Sequence, residues 1–227
     1  MSLLVVKNLV KNYVNGSLTT EVLKDLSFEI NEGEFIMITG SSGSGKTTLL
    51  NCISGLEKIT SGTIELDGHD LAKMKEKEMA LIRRKDIGFV FQAYNLLPNL
   101  TLYENIAISS IIAGNENKER ILELLEKFNL LEFKKYFPNQ VSGGMQQRCA
   151  VVRSLINDPK IIFADEPTGN LDSVSSKEVM ENFAFLHKNY NKTIVMVTHS
   201  LENLKYATRH IHIIDGKIVE DMLLNNE

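Results

Sequence analysis

The sequence predicts an α/β fold in which a mostly parallel sheet with crossover helices is joined to an N-terminal antiparallel β-subdomain and an inserted α-helical subdomain. Three observations carry this. Apolar, β-prone runs at 34–39, 87–91, 160–164, 193–198 and 211–214 are separated by other structure, with helical period recurring between them. The first 70 residues instead place strand-like runs at 3–9, 26–30 and 63–66 beside the turn signals Asn15-Gly16 and Asp67-Gly68. Residues 93–157 carry little β signal and much helix, so the insertion is expected there. With 227 residues the chain is read as one domain, 1–227, holding that lobe within it.

The strand at 34–39 leads into Gly-Ser-Ser-Gly-Ser-Gly-Lys-Thr at 40–47, which matches the phosphate-binding pattern G-x-x-x-x-G-K-[ST] without a departure. A run able to begin a helix, 48–53, follows. Strand, glycine loop and helix are the setting a working P-loop NTPase core requires, whereas a flexible Ser/Gly linker would need none of it. Gly40, Gly43 and Gly45 remove side chains that would keep backbone N–H groups from a phosphate. The helix N-terminus adds unpaired N–H groups and partial positive charge. Lys46 supplies a full charge for the outer phosphates, and the Thr47 hydroxyl is placed to ligate Mg²⁺. Ser41, Ser42, Ser44 and Thr48 complete the candidate ATP-binding set.

Further on, residues 118–130 put Ile121, Leu124, Leu125 and Phe128 on one helical face. A second such face, in 175–187, is built from Val179, Met180, Phe183 and Leu186. Between them, residues 160–166 read Lys-Ile-Ile-Phe-Ala-Asp-Glu, a buried strand ending in two carboxylates. An acid at the end of a core strand needs a partner, and a Mg²⁺ held by Thr47 would be one. Asp165 is therefore assigned to the metal. Glu166 is assigned to the water that attacks the γ-phosphate, because general-base assistance needs an ionisable group within its reach. Without the phosphate loop the same pair would read as an acidic turn.

Composition bounds the rest. Hydrophobic content of 43% and charged content of 24% are ordinary for a globular protein. The net charge of −4 gives no support for a nucleic-acid partner. No run approaches the roughly 20 apolar residues needed to span a bilayer. The N-terminus lacks the basic lead-in and long apolar stretch of a secretion signal, so a cytoplasmic chain is expected. Cys52 and Cys149 have no metal spacing and read as small core side chains in a reducing compartment.

Residues 141–148, Val-Ser-Gly-Gly-Met-Gln-Gln-Arg, resemble the LSGGQ signature of ATP-binding-cassette (ABC) proteins. Gln92 matches that family's Q-loop, Gly169-Asn170-Leu171-Asp172 its D-loop, and His199 its switch histidine. Tyr13 stands where the family places an aromatic that stacks on adenine; by itself it reads equally well as packing beside Val10 and Val14. The resemblance implies that Glu166, His199 and Gln92 serve hydrolysis, and that Thr47, Gln92 and Asp165 surround Mg²⁺. It also implies that Ser142, Gly143 and Gly144 face the γ-phosphate held by the other copy of a head-to-tail homodimer. The helix opened by Ser142 supplies bare backbone N–H groups for that contact. Two positions depart from the signature: Val141 stands for Leu and Met145 for Gln. The Ser142-Gly143-Gly144 donors remain, so sandwich closure is expected to survive.

The run 95–105, with the D-loop and the long turn after Tyr13, is similar to the LolD, MacB and FtsE subfamily. That similarity implies a separate integral membrane permease docked on the helical lobe around Leu96, Leu97 and Tyr103. The chain would then sit peripherally on the inner face of the membrane. Its work would be export, lipoprotein release or resistance to drugs or antimicrobial peptides. The alternative is an FtsE-like mechanical regulator that moves nothing. Chromosome-maintenance ATPases share the motifs but insert a long coiled coil between phosphate loop and signature, and no sustained heptads lie between Lys46 and Ser142. Cassette-type translation factors carry two cassettes, where this chain has one.

Overall fold

The computed structural model describes residues 2–224. Strands β1 (Ser2–Asn15) and β2 (Leu18–Asn31) form a long hairpin, and β4 (Ser61–Leu66) and β5 (His69–Asp70) complete a four-stranded antiparallel sheet in the order β2-β1-β4-β5. The second sheet contains β3 (Phe35–Thr39), β6 (Ile87–Phe91), β7 (Ile161–Asp165), β8 (Thr193–Val197), β9 (Arg209–Ile214) and β10 (Lys217–Leu223) in the order β10-β9-β3-β8-β7-β6. All its pairings are parallel except that of β10 with β9. The helices are α1 (Lys46–Ile53), α2 (Glu76–Lys85), α3 (Leu102–Ile112), α4 (Lys118–Lys127), α5 (Gly143–Leu155) and α6 (Ser173–Tyr190).

Every residue of β3 and of β8 is buried, as expected of strands covered on both faces. The two-residue period of the strands then sorts the interior into two cores. Ile36 and Ile38 join Ile161, Phe163, Val195, Val197, Ile211 and Ile213 against α1 and the antiparallel sheet. Phe35 and Met37 join Val90, Ile162, Ala164, Ile194 and Met196 against α3, α4, α5 and α6. Stretch 93–157 contains α3, α4, α5 and two short 3₁₀ turns, with no strand among the described residues. Its apolar side chains, including Ile121, Leu124 and Leu125, belong to the same continuous core as the sheet face beneath them.

Parallel register positions the site. Ile38 lies opposite Val197, Val197 opposite Asp165, and Asp165 opposite Phe91. The carboxyl ends of β3, β8, β7 and β6 therefore form one row, from which four chain segments emerge on the same edge. Open parallel sheets carry ligands at that edge.

Several boundaries differ from the sequence expectation. Helix α4 stops at Lys127 because Asn129 turns left-handed, at φ 54°. Helix α6 begins two residues early because the Asp172 carboxylate accepts from the Val174 and Ser175 N–H groups, at 3.0 and 2.9 Å. It runs on to Tyr190 and is ended by Asn191 at φ 48°. Helix α2 and strand β10 were not expected at all. Only Met79 and Ile82 of α2 are buried, and β10 is a largely exposed edge strand, so neither carries a strong hydrophobic period.

A shared core predicts cooperative unfolding. Leu124→Ala, which truncates a fully buried side chain of α4, should destabilise the whole chain by about 2–5 kcal/mol. Urea titration should show one transition at a lower midpoint; a separate early transition confined to the helices would contradict the shared core.

Candidate active site

The loop after β3 can fold as it does because two of its positions have no side chain. A Cβ on Gly40 would stand 2.2 Å from the Ile213 carbonyl oxygen. Gly45, the residue preceding α1, has φ 99°, which an L side chain rarely adopts. No side chain caps α1, and its first turn contains no acid. Its N–H groups and positive dipole end therefore face the cleft. Lys46 is buried, and its Nζ donates to the Gly40 and Ser41 carbonyls at 2.9 Å each. Those bonds hold the ammonium inside the curve of the loop. The buried Ser44 hydroxyl has no hydrogen-bond partner among the described residues.

Across the sheet edge, the Thr47 hydroxyl donates to Asp165 Oδ1 at 3.1 Å. Burial pushes the Asp165 carboxyl above the ordinary carboxylate range, and the neighbouring Glu166 charge adds to that, while Thr47 and Lys46 oppose it. Glu166 has left-handed φ, 46°, and its N–H donates to the Val197 carbonyl at 3.0 Å. This turn aims its carboxylate sideways to His199, with Nδ1 2.9 Å from Oε2. The His199 side chain is 69% exposed against 18% for Glu166, so the imidazole forms the outer wall and the carboxylate the inner one. Together these groups enclose a cleft of about 340 Å³ lined by Ser42, Gly43, Lys46, Thr47, Glu166 and His199 among others.

The other candidates lie elsewhere. Tyr13 stands beside the cleft: its hydroxyl bonds Glu57 and Thr48, and Thr48 lines the cleft wall. Lys11 Nζ lies 4.6 Å from the ring centroid and 2.9 Å from Glu57, so one ring face already carries a cation. Gln92 does not line the cleft. Its Nε2 donates to Asn170 Oδ1 at 3.0 Å, and Asn170 Nδ2 returns a bond to the Gln92 carbonyl at 3.1 Å. The Q-loop and D-loop residues are thus tied to each other.

Ser142, Gly143 and Gly144 are also outside the cleft. The Ser142 hydroxyl caps α5 by accepting from Met145 N–H at 3.3 Å. A Cβ at Gly143 would meet the Tyr94 hydroxyl at 2.8 Å, and one at Gly144 would meet Ser175 at 2.9 Å. The substituted signature positions, Val141 and Met145, pack on the helical core. Met145 serves the cap through its backbone, which explains why the side chain can change. Cys52 and Cys149 are buried and unpaired, and burial pushes both thiols up to about 12, consistent with packing roles. Val22, on the cleft wall from β2, and Glu57 were missed by sequence reasoning; neither belongs to a motif, and only the fold brings them here.

The donor set fits a nucleoside triphosphate: an ammonium, an uncapped helix N-terminus and a glycine-lined loop. Comparison with known proteins agrees. Residues 23–169 match the family described as ABC transporter. The chain belongs to that family. It is 40% identical over 230 residues, spanning 100% of this chain and 91% of the relative, to the bacitracin export ATP-binding protein BceA of Halalkalibacterium halodurans. It is 43% identical over 218 residues, 94% of this chain and 89% of the relative, to the lipoprotein-releasing system ATP-binding protein LolD 1 of Chlorobium chlorochromatii. Among solved structures, a dimeric ATP-binding cassette in a post-hydrolysis state bound to ADP and Pi superposes with TM-score 0.89. That match has 39% identity and covers 98% of this chain and 99% of the other. The ABC protein is accordingly an ATPase with the P-loop NTPase fold expected from its sequence. Among its described residues no helix is long and apolar enough to cross a membrane.

The raised Asp165 carboxyl yields a prediction. Because its pKa is higher folded than unfolded, its ionised form costs stability at neutral pH, and that cost is relieved as pH falls through the raised value. Asp165→Asn should raise the nucleotide-free Tm at neutral pH by ~2–4 °C while abolishing hydrolysis. A lowered Tm in thermal denaturation would contradict this account of the buried charge.

Proposed function

We propose that this chain is the ATP-hydrolysing motor subunit of an export-type transporter, working as a head-to-tail pair on a separate membrane permease. The observation that carries the reading is the cleft itself. The phosphate loop, the Thr47–Asp165 pair and the Glu166–His199 pair sit on one sheet edge. The export assignment rests on the bacitracin export and lipoprotein-releasing relatives, each aligned over nearly the full chain. The chain would then lie against the inner face of the membrane.

In this reading Lys46 and the α1 N-terminus bind the β- and γ-phosphates, and Tyr13 supports the adenine end. Thr47 and Asp165 offer the hard oxygen ligands that Mg²⁺ takes, and the metal would neutralise phosphate charge there. Glu166 accepts a proton from the attacking water, while His199 holds the carboxylate in place and senses the γ-phosphate. Ser142 and the N-terminus of α5 do not line the cleft of their own chain. They complete the cleft of a second copy, whose α5 N–H groups close over the γ-phosphate. ATP thereby acts as the adhesive between two copies, and hydrolysis releases them. The Gln92–Asn170 tie links the metal side of the site to the pair interface.

Glu166→Gln keeps the shape of the side chain and removes its basicity. Hydrolysis should fall by at least about 100-fold, while ATP-dependent pairing, followed by sedimentation, persists or strengthens. Retained hydrolysis would remove Glu166 from the role of base.

A further inference from the structure

Gln147 is a fully buried amide on α5 that does not line the cleft. Its Nε2 donates to the Phe91 carbonyl at 3.2 Å and to the Pro167 carbonyl at 2.5 Å. Both partners are acceptors, so only the amide nitrogen can satisfy them, and both of its protons are used. Its Oε1 has no partner among the described residues. The amide is thus oriented entirely by two backbone carbonyls.

Those carbonyls flank the reaction machinery. Phe91 immediately precedes Gln92, and Pro167 immediately follows Glu166. Glu166 occupies the left-handed region just before a proline, a conformation that persists only where the surroundings fix it. Its N–H is fixed on one side by Val197. On the other side its own carbonyl accepts from the Gly169 N–H at 3.0 Å, and the following carbonyl, that of Pro167, accepts from Gln147. Ser142 caps the same end of α5, a little over one turn before Gln147, so the first turns of one helix join the signature serine to the turn that aims Glu166.

We infer that Gln147 is a positioning residue for ATP hydrolysis: through its two carbonyl bonds it couples the placement of the α5 N-terminus to the orientation of Glu166 and Gln92. This rests on the reading of Glu166 as the base. A change in how α5 is seated, as when a second copy binds Ser142 across the γ-phosphate, reaches the Glu166 turn through the Pro167 bond. Gln147 is buried and does not line the cleft, so it should affect the rate and not the affinity.

Steady-state hydrolysis by the purified full chain tests this. Gln147→Met keeps the side-chain volume and removes both donors. It should retain the ATP KM and the ATP-induced rise in Tm within about twofold, while kcat falls roughly 10–100-fold, the scale on which a misplaced group acts. Gln147→Glu should lose at least as much above neutral pH. It should recover part of its kcat as pH is lowered, because only its protonated carboxyl can donate to a carbonyl. That recovery keeps the test decisive if the methionine variant folds poorly. A Gln147→Met kcat within twofold of the parent overturns the inference. Parallel losses of kcat and ATP affinity, or a Gln147→Glu pH profile like the parent's, do so as well. Glu166→Gln separates the two readings: if that variant stays active the base reading fails, whereas an inactive Glu166→Gln beside a fully active Gln147→Met removes only Gln147.

Discussion

The alignment of four parallel strands is the constraint on which the rest depends. Ile38, Val197, Asp165 and Phe91 stand level across β3, β8, β7 and β6. The phosphate loop, His199, Glu166 and Gln92 all begin within two residues of that row. A one-residue slip of β7 would turn Asp165 to the other face and break its 3.1 Å contact with Thr47. The register is held because alternate residues of each strand are committed to different cores. Site geometry is therefore a consequence of core packing, with little left to loop flexibility.

The local parts of this arrangement were legible in the sequence. The phosphate loop declares itself because its glycines, lysine and threonine act within eight consecutive residues. Asp165 and Glu166 declare themselves because carboxylates at the end of an apolar strand demand a partner. The helical faces of α4 and α6 followed from periodicity, and their ends moved only where Asp172, Asn129 and Asn191 supplied cap chemistry. Strand β10 and helix α2 were hidden because few of their side chains are buried. Val22, Glu57 and Gln147 were hidden for a deeper reason: each acts through partners far away in sequence, and no spacing rule reports such a contact.

The cleft of a single chain is also visibly one-sided. The phosphate loop, Thr47, Glu166 and His199 line it, yet Ser142 and the start of α5 lie outside it. The glycines at 143 and 144 are required by close contacts to Tyr94 and Ser175, which seat α5 against the Q-loop and the start of α6. The signature helix is thus built as a rigid surface presented outwards. That Met145 replaces the usual glutamine is compatible with this, since its side chain packs inwards and its backbone makes the cap.

The central claim is that each site is shared between two copies. Mixing two defective chains tests it directly. Lys46→Ala removes the loop's charge, Ser142→Arg blocks the signature face, and both would carry Glu166→Gln to trap ATP. Neither variant alone should form an ATP-dependent pair in analytical ultracentrifugation. Mixed, they should form pairs that occlude about one ATP each, because one of the two interfaces then unites an intact loop with an intact Ser142. A mixture that sediments as the sum of two inactive monomers would contradict the shared site.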